Sequence, residues 1–217
     1  MGIFSFFKSK PKPPVFANES EEFLYKVNPK YYWERKKFEE DLAYQNELLS
    51  KVNAAREKYK KDGDLSAVIQ VYEFAFIESD PPCKSSQCFL LLDFYLKADL
   101  NDKAWSYLNK LLTEEKPHFE KIRMYQARLL KKEKRWKDAI QMYLLEYLAK
   151  SEWKKTFDKE MFIKDIRSSI NKLNWSDEDI ISLLNLVEKQ VKKKDYSEEK
   201  LIKSYRKFLS EKSDVVS

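Results

Sequence analysis

Histidine and cysteine, the residue types most often used for catalysis and metal binding, are scarce in this chain. His118 is the single histidine, and Cys83 and Cys88 are the two cysteines. A general base must lie beside an oriented nucleophile, and a zinc site needs more ligands than these three residues supply. Two cysteines in 217 residues do not form a disulfide framework, so we predict that both are reduced thiols of a cytoplasmic protein.

Carboxylates occur as neighbouring pairs, an arrangement that acid–base catalysis can use. We expect these pairs to lie at helix starts and on exposed helix faces, where acidic side chains favour the helix dipole and solubility. The pairs are Glu21-Glu22, Glu39-Glu40, Glu114-Glu115 and Glu198-Glu199. Only two glycines are present, too few for glycine-rich phosphate or dinucleotide loops. The sequence therefore predicts that the chain is not an enzyme and has no catalytic residues, cofactor or metal.

The charge pattern favours long helices with one solvated face. Charged residues make up 36% of the chain, and no run of about 18 apolar residues could form a transmembrane helix. Residues 61–120 carry 6 basic and 11 acidic side chains, whereas residues 121–217 carry 24 and 16. The basic C-terminal region could meet an acidic partner.

Three segments of the chain repeat one pattern with spacings of 36 and 35 residues. Each has a small or β-branched anchor with a large residue four positions later, and an aromatic or leucine nine positions earlier. A small anchor lets two helices approach closely, and the residue four positions later shares its face and fills the space beside it. The anchors are Val68, Ala104 and Ala139, followed by Tyr72, Leu108 and Tyr143 and preceded by Tyr59, Tyr95 and Leu130.

This pattern resembles the tetratricopeptide repeat family over about residues 49–151. The first unit is most similar, with Tyr59, Gly63, Tyr72 and Ala75 in place. Leu111 and Glu146 stand where the family has its second alanine in the other two units. The resemblance implies an all-α fold, a right-handed superhelix of antiparallel helical hairpins stacked on one another.

The rest of the chain is divided around these repeats. We predict a flexible apolar and basic segment with a proline-rich linker at 1–18, N-terminal capping helices at 19–48, and three repeats at 49–151. A C-terminal helical extension follows at 152–212, and a frayed tail at 213–217. One helix of the extension is predicted to begin with Ser176 as N-cap and Asp179 in the capping-box position.

The resemblance also implies a binding surface, because the first helix of each hairpin lines the concave face in this family. The corresponding positions are Asn53 and Lys60 in the first unit, Phe89, Asp93 and Lys97 in the second, and Lys121, Met124, Arg128 and Lys131 in the third. By this fold-level analogy, the chain is expected to bind another protein or a peptide segment, as an adaptor, assembly factor or regulator.

Two other functions remain open from the sequence. The basic C-terminal half could associate with nucleic acid, although it carries no recognised motif. Residues 2–12 could anchor a peripheral membrane scaffold through weak membrane contact. In that segment, apolar Ile3, Phe4, Phe6 and Phe7 precede basic Lys8, Lys10 and Lys12, and could dock on the protein, a partner or a membrane.

Overall fold

The protein is described by a computed structural model that covers residues 14–113, 118–154 and 158–213. Within these ranges it is all-helical, with ten α-helices, one π-helical turn at Phe74–Glu78 and no strand, so the predicted fold class is confirmed at this level. The helices are α1 Glu19–Val27, α2 Pro29–Asp62, α3 Leu65–Glu73, α4 Cys88–Lys97, α5 Asn101–Leu112, α6 Phe119–Lys132, α7 Trp136–Lys154, α8 Lys159–Lys172, α9 Asp177–Lys192 and α10 Glu198–Ser213. The apolar residues from Ile3 to Phe7, the pair Glu114-Glu115 and residues 214–217 lie outside the described residues.

Short polar side chains begin several of the helices. Asn28 ends α1 and caps α2, where Pro29 takes the first helical position, in which its missing N–H costs nothing. The predicted capping box is confirmed at α9, where the carboxylate of Asp179 accepts a hydrogen bond of 2.9 Å from the Ser176 N–H. At α3 the N-cap residue itself is the acceptor: the side-chain carboxylate of Asp64 accepts from the Ala67 N–H at 2.9 Å.

Residues with a left-handed backbone conformation follow the ends of five of the helices. In four of these turns, the N–H of the next residue donates to a carbonyl five positions back, as the N–H of Arg135 does to Leu130 at 2.9 Å. The residues with positive φ are Gly63, Asp99, Lys134, Asn174 and Lys194. The first three are 36 and 35 residues apart and stand five positions before the three anchors. Each pair of helices joined by such a short turn also packs together as a hairpin.

Two hydrophobic clusters form the core. The first is built mainly from α2 to α6, and the second from α7 to α10. The anchors Val68, Ala104 and Ala139 are all buried. Helix α7 holds the second cluster together because it contacts α6, α8, α9 and α10.

The long helix α2 crosses the boundary predicted between residues 48 and 49. No glycine or proline interrupts the chain between Pro29 and Gly63, so nothing in the sequence stops the helix there. Leu48 and Val52 are buried in the first cluster. The first half of α2 packs with α1, and several of its large apolar side chains, among them Tyr31, Phe38 and Leu42, are exposed.

Candidate functional site

A cleft between α2 and α4 brings together four of the nine residues predicted to line a binding surface. These four are Lys60, Asp93, Lys97 and Arg128. The α2/α4 cleft has a volume of about 530 Å³ and is completed by Arg56, Tyr59, Leu90, Phe94 and Leu96. Helix α6 contributes Arg128 because α4 packs against α6.

Two aromatic rings line the α2/α4 cleft, and they differ in exposure: Tyr59 is half-buried, whereas Phe94 is only 5% exposed and belongs to the first core cluster. Tyr59 and Phe94 meet edge to face, with their ring centres 5.3 Å apart. The ammonium nitrogen of Lys97 lies 5.3 Å from the centre of the Tyr59 ring and 5.9 Å from that of Phe94. This is the range of a cation–π interaction, which holds the Lys97 charge above the rings.

The cleft carries more positive charge than its own carboxylate can neutralise. Arg128 pairs with Asp93 at 3.0 Å, and Lys60 pairs with Glu57 at 2.6 Å. Among the residues that the structure describes, neither Arg56 nor Lys97 has an ion-pair partner. Two cations beside an aromatic surface therefore remain available to an acidic group that approaches from solvent.

The other predicted residues from α2 and α4 make contacts elsewhere. The side-chain oxygen of Asn53 accepts a hydrogen bond of 2.9 Å from Gln87 at the start of α4. Phe89 is buried and stacks on Tyr125 with ring centres 6.0 Å apart, so it belongs to the core. Neither side chain lines the α2/α4 cleft.

The remaining predicted residues lie along α6. The Lys121 ammonium group is 5.1 Å from the centre of the Phe89 ring, and Met124 packs against the first core cluster. Lys131 lies over the Tyr143 ring at 5.9 Å, and burial lowers the pKa of its ammonium group. These three side chains extend the surface along α6 without entering the cleft.

Sequence reasoning missed Arg56, Tyr59 and Phe94 as members of the site. Helical spacing was the available signal, because residues three and four positions apart share a face. Arg56 stands four positions before Lys60, and Phe94 stands three positions before Lys97. The spacing groups these residues, but it does not show which face of α2 turns toward α4.

The cysteines and the histidine lie near a second cleft of about 580 Å³, between the α3–α4 connection and α5. Neither cysteine forms a disulfide, and burial raises the pKa of the Cys83 thiol, which keeps it protonated and weakly nucleophilic. His118 Nδ1 lies 3.7 Å from Glu120. In the described part of the chain, no three His, Cys, Asp or Glu side chains are grouped as metal ligands would be.

A third groove, between α2 and α3, has a volume of about 570 Å³ and is mainly apolar. It is lined by Ala54, Ala55, Val68 and Val71 and ends at the exposed ring of Phe74. The charged residues that line this groove are Lys51 and Asp62, together with Lys58, on α2 and Asp64 at the start of α3. It lacks the aromatic pair with an overlying cation that distinguishes the α2/α4 cleft.

No family model, no curated protein and no solved structure matches this chain. Among the described helices, none combines the length and the apolar character needed to cross a bilayer. Function therefore has to be inferred from the chain's own geometry and charge.

Proposed function

We propose that this chain is a helical repeat protein that binds an acidic segment of another protein in the α2/α4 cleft. Helices α2 to α7 would form three tetratricopeptide-like hairpins stacked in a right-handed superhelix. Support for the repeat comes from the left-handed turns, whose spacing of 36 and 35 residues equals that of the buried anchors. The chain would act as an adaptor, assembly factor or regulator in the cytoplasm, a compartment that suits two cysteines that form no disulfide.

The single observation that supports this function best is the pair of unneutralised cations beside the aromatic surface. Arg56 and Lys97 can donate charge-assisted hydrogen bonds to carboxylates, while the half-buried Tyr59, Leu90 and Leu96 offer apolar area to a neighbouring side chain. The chemistry that fits both is a peptide in which Glu or Asp stands beside an aliphatic or aromatic residue. Asp93 is already neutralised by Arg128, so it opposes such a peptide only weakly.

Three fluorescent peptides that differ only in one residue type test the proposal. Each alternates leucine with Glu, with Gln or with Lys, and fluorescence anisotropy measures its dissociation constant for the full chain. Each good charge-assisted bond contributes about 1.5–3 kcal/mol. We therefore expect the Glu peptide to bind at least about tenfold more tightly than the Gln peptide. The Lys peptide should bind most weakly.

Equal binding of all three peptides would contradict the charge-based proposal. So would an outcome in which single-stranded RNA or duplex DNA binds and the Glu peptide does not. Nucleic-acid binding would be recognised by an affinity that falls steeply with salt, since neutralised phosphates release counterions. That result would favour the basic C-terminal half over the cleft.

A further inference from the structure

The first half of α2 carries a row of large apolar side chains that stay about half exposed or more in the described structure. Tyr31, Phe38 and Leu42 are 52%, 66% and 49% exposed. They are spaced by seven and four residues, so they lie on one face of the helix. We call these three side chains the α2 stripe. A contiguous apolar row of this kind usually marks a surface that another segment covers.

The same face of α2 is covered further along the helix. Leu49, seven residues after Leu42, packs against the first core cluster. Gln45 donates to the Pro82 carbonyl at 3.2 Å and accepts from the Lys84 N–H at 2.8 Å. The α2 stripe is therefore the direct continuation of a packed face, left bare because α2 extends past the elements that cover its second half.

Acidic side chains border the α2 stripe. Glu34 and Asp41 lie along one edge; Glu34 pairs with Lys30 at 3.8 Å, and Asp41 has no ion-pair partner among the described residues. On the other edge, Arg35 is neutralised by Glu39 at 2.8 Å. An antiparallel second copy of α2 would bring Glu34 of one chain beside Asp41 of the other, and like charges at such a seam repel. The occupant that fits is apolar and basic.

We propose that residues 3–7 of this same chain cover the α2 stripe. The segment supplies four large apolar side chains for the stripe and lysines for its acidic edge. The apolar residues are Ile3, Phe4, Phe6 and Phe7, and the lysines that follow are Lys8, Lys10 and Lys12. This proposal does not depend on the α2/α4 cleft or on its partner.

The reach of the chain agrees with this placement. Phe16 packs against Tyr32, the neighbour of Tyr31 on the adjacent face of α2, with ring centres 5.9 Å apart, so this part of the chain lies at the level of the first residue of the stripe. Phe7 lies nine positions before Phe16, and in extended polyproline geometry these nine steps span about 28 Å. The stripe is about 17 Å long, whereas Lys58 at the middle of the α2/α3 groove lies about 39 Å along the helix from Tyr32. The stripe is within reach of Phe7, and the middle of that groove is not.

Site-specific photo-cross-linking in the full chain tests the placement. Phe6 is replaced by benzoylphenylalanine, the protein is irradiated, and cross-linked peptides are identified by mass spectrometry. Equal amounts of isotopically light and heavy protein are mixed so that links within one chain are distinguished from links between chains. We expect light–light and heavy–heavy links to the part of α2 from Tyr31 to Leu42.

A matched pair of variants shows whether the stripe itself holds the segment. The double variant Phe38→Ser, Leu42→Ser should lower the yield of this link at least about fivefold, the change expected for about 1 kcal/mol of docking free energy. Phe23→Ser on α1, another exposed phenylalanine, should leave the yield unchanged. Links to the α2/α3 groove, light–heavy links, or equal yields in both variants would overturn the proposal. It would also be overturned if the intramolecular link were absent and the chain sedimented with anionic phosphatidylglycerol vesicles.

Discussion

Glu146 is the clearest departure from the repeat pattern at the scale of single residues. It stands at the position that Ala75 takes in the first unit and Leu111 in the second, and its side chain is only 1% exposed. Its carboxylate forms an ion pair with Lys150, but the carboxylate oxygen Oε2 has no hydrogen-bond partner among the described residues. Burial raises the pKa of Glu146, and the ion pair with Lys150 opposes this only in part. A buried carboxylate of this kind is costly at neutral pH.

We predict that Glu146→Gln stabilises the protein at neutral pH. Because the pKa of Glu146 is raised in the folded state, its contribution to stability is fully present below the unfolded pKa and is lost as the pH rises through the folded pKa. Glutamine does not titrate and can still accept a hydrogen bond from Lys150. The melting temperature at pH 7 should rise by about 2–4 °C, equivalent to about 1 kcal/mol for a chain of this size.

The size of this gain should depend on pH, and that dependence tests the cause. The difference in melting temperature between Glu146→Gln and the unaltered chain should shrink as the pH falls from 7 toward the ordinary carboxyl pKa of 4.5. A gain that stays constant over this range would point to packing instead of titration. A loss of stability at pH 7 would show that the pair with Lys150 outweighs the cost of burial.

Lys134 adopts a backbone conformation that lysine disfavours. Its φ is 61°, in the left-handed region where a Cβ atom costs about 1–2 kcal/mol. Gly63 takes the same conformation at the end of α2, and a Cβ added there would meet no atom within 4 Å. At Gly63, a side chain would therefore be disfavoured by the left-handed backbone conformation alone and not by a clash with neighbouring atoms.

We predict that Lys134→Gly stabilises the protein by about 0.5–1 kcal/mol, after the entropy that glycine gains in the unfolded chain is subtracted. Urea denaturation followed by circular dichroism measures the change. Lys134→Ala is the matched control, because it removes the side chain and retains the Cβ atom, and it should give no comparable gain. Gly63→Ala should destabilise the protein by a similar amount. Equal effects of the glycine and alanine variants at Lys134 would refute the backbone explanation.

The candidate site could be predicted in part at this scale. Lys60, Lys97 and Arg128 were placed on the binding surface by their positions in the first helix of each unit. Asn53 and Phe89 occupied equivalent positions but are engaged by Gln87 and Tyr125. Helical spacing orders residues around one helix, but which face turns toward the neighbour depends on packing between helices that are distant in sequence.

Helix starts and ends were the part of each element that the sequence determined most directly. Helix boundaries depend on the backbone and nearest neighbours of a few residues, so they could be predicted from short stretches of sequence. Examples are Asn28-Pro29, Gly63 and the capping box at Ser176. The continuation of α2 through residue 48 could not be read in this way. The long helix is held by burial of Leu48 and Val52 against later helices, whereas its first half has little such packing.

The buried anchors lead to a prediction about how pairs of helices pack. Ala104 is fully buried where α5 meets its neighbours, so a larger side chain there would force the helices apart. Ala104→Trp should lower the free energy of unfolding by about 1–3 kcal/mol or more. Asn109→Trp, which adds the same ring to an exposed position of α5, should have little effect in the same urea titration. An unchanged stability for Ala104→Trp would refute the assigned register of the hairpins.

For the whole molecule, charge and packing are distributed unequally between two parts. The first core cluster draws on the acidic region, residues 61–120, and the second lies in the basic region that follows it. The two clusters are in contact through α6 and α7. The α2/α4 cleft is nevertheless basic, because Arg56, Lys60 and Lys97 from α2 and α4 all line it. The net charges of these helices do not indicate that a basic cleft forms between them. Net charge along the sequence pointed to the C-terminal half as the place for an acidic partner, while the folded geometry offers one in the first half.

A charge exchange between the α2/α4 cleft and its peptide tests the central proposal most directly. Lys97→Glu places a carboxylate over the Tyr59 ring, and Lys37→Glu makes the same change of net charge at an exposed position of α2 with no ion pair among the described residues. Lys97→Glu should weaken binding of the leucine–glutamate peptide by at least about tenfold, because an attractive contact between opposite charges becomes repulsive. The same variant should strengthen binding of the leucine–lysine peptide, because there a repulsive contact becomes attractive. Lys37→Glu should change both affinities by less than about twofold. If Lys97→Glu and Lys37→Glu alter the two affinities equally, the binding responds to net charge alone, and the account of the α2/α4 cleft as the binding site is wrong.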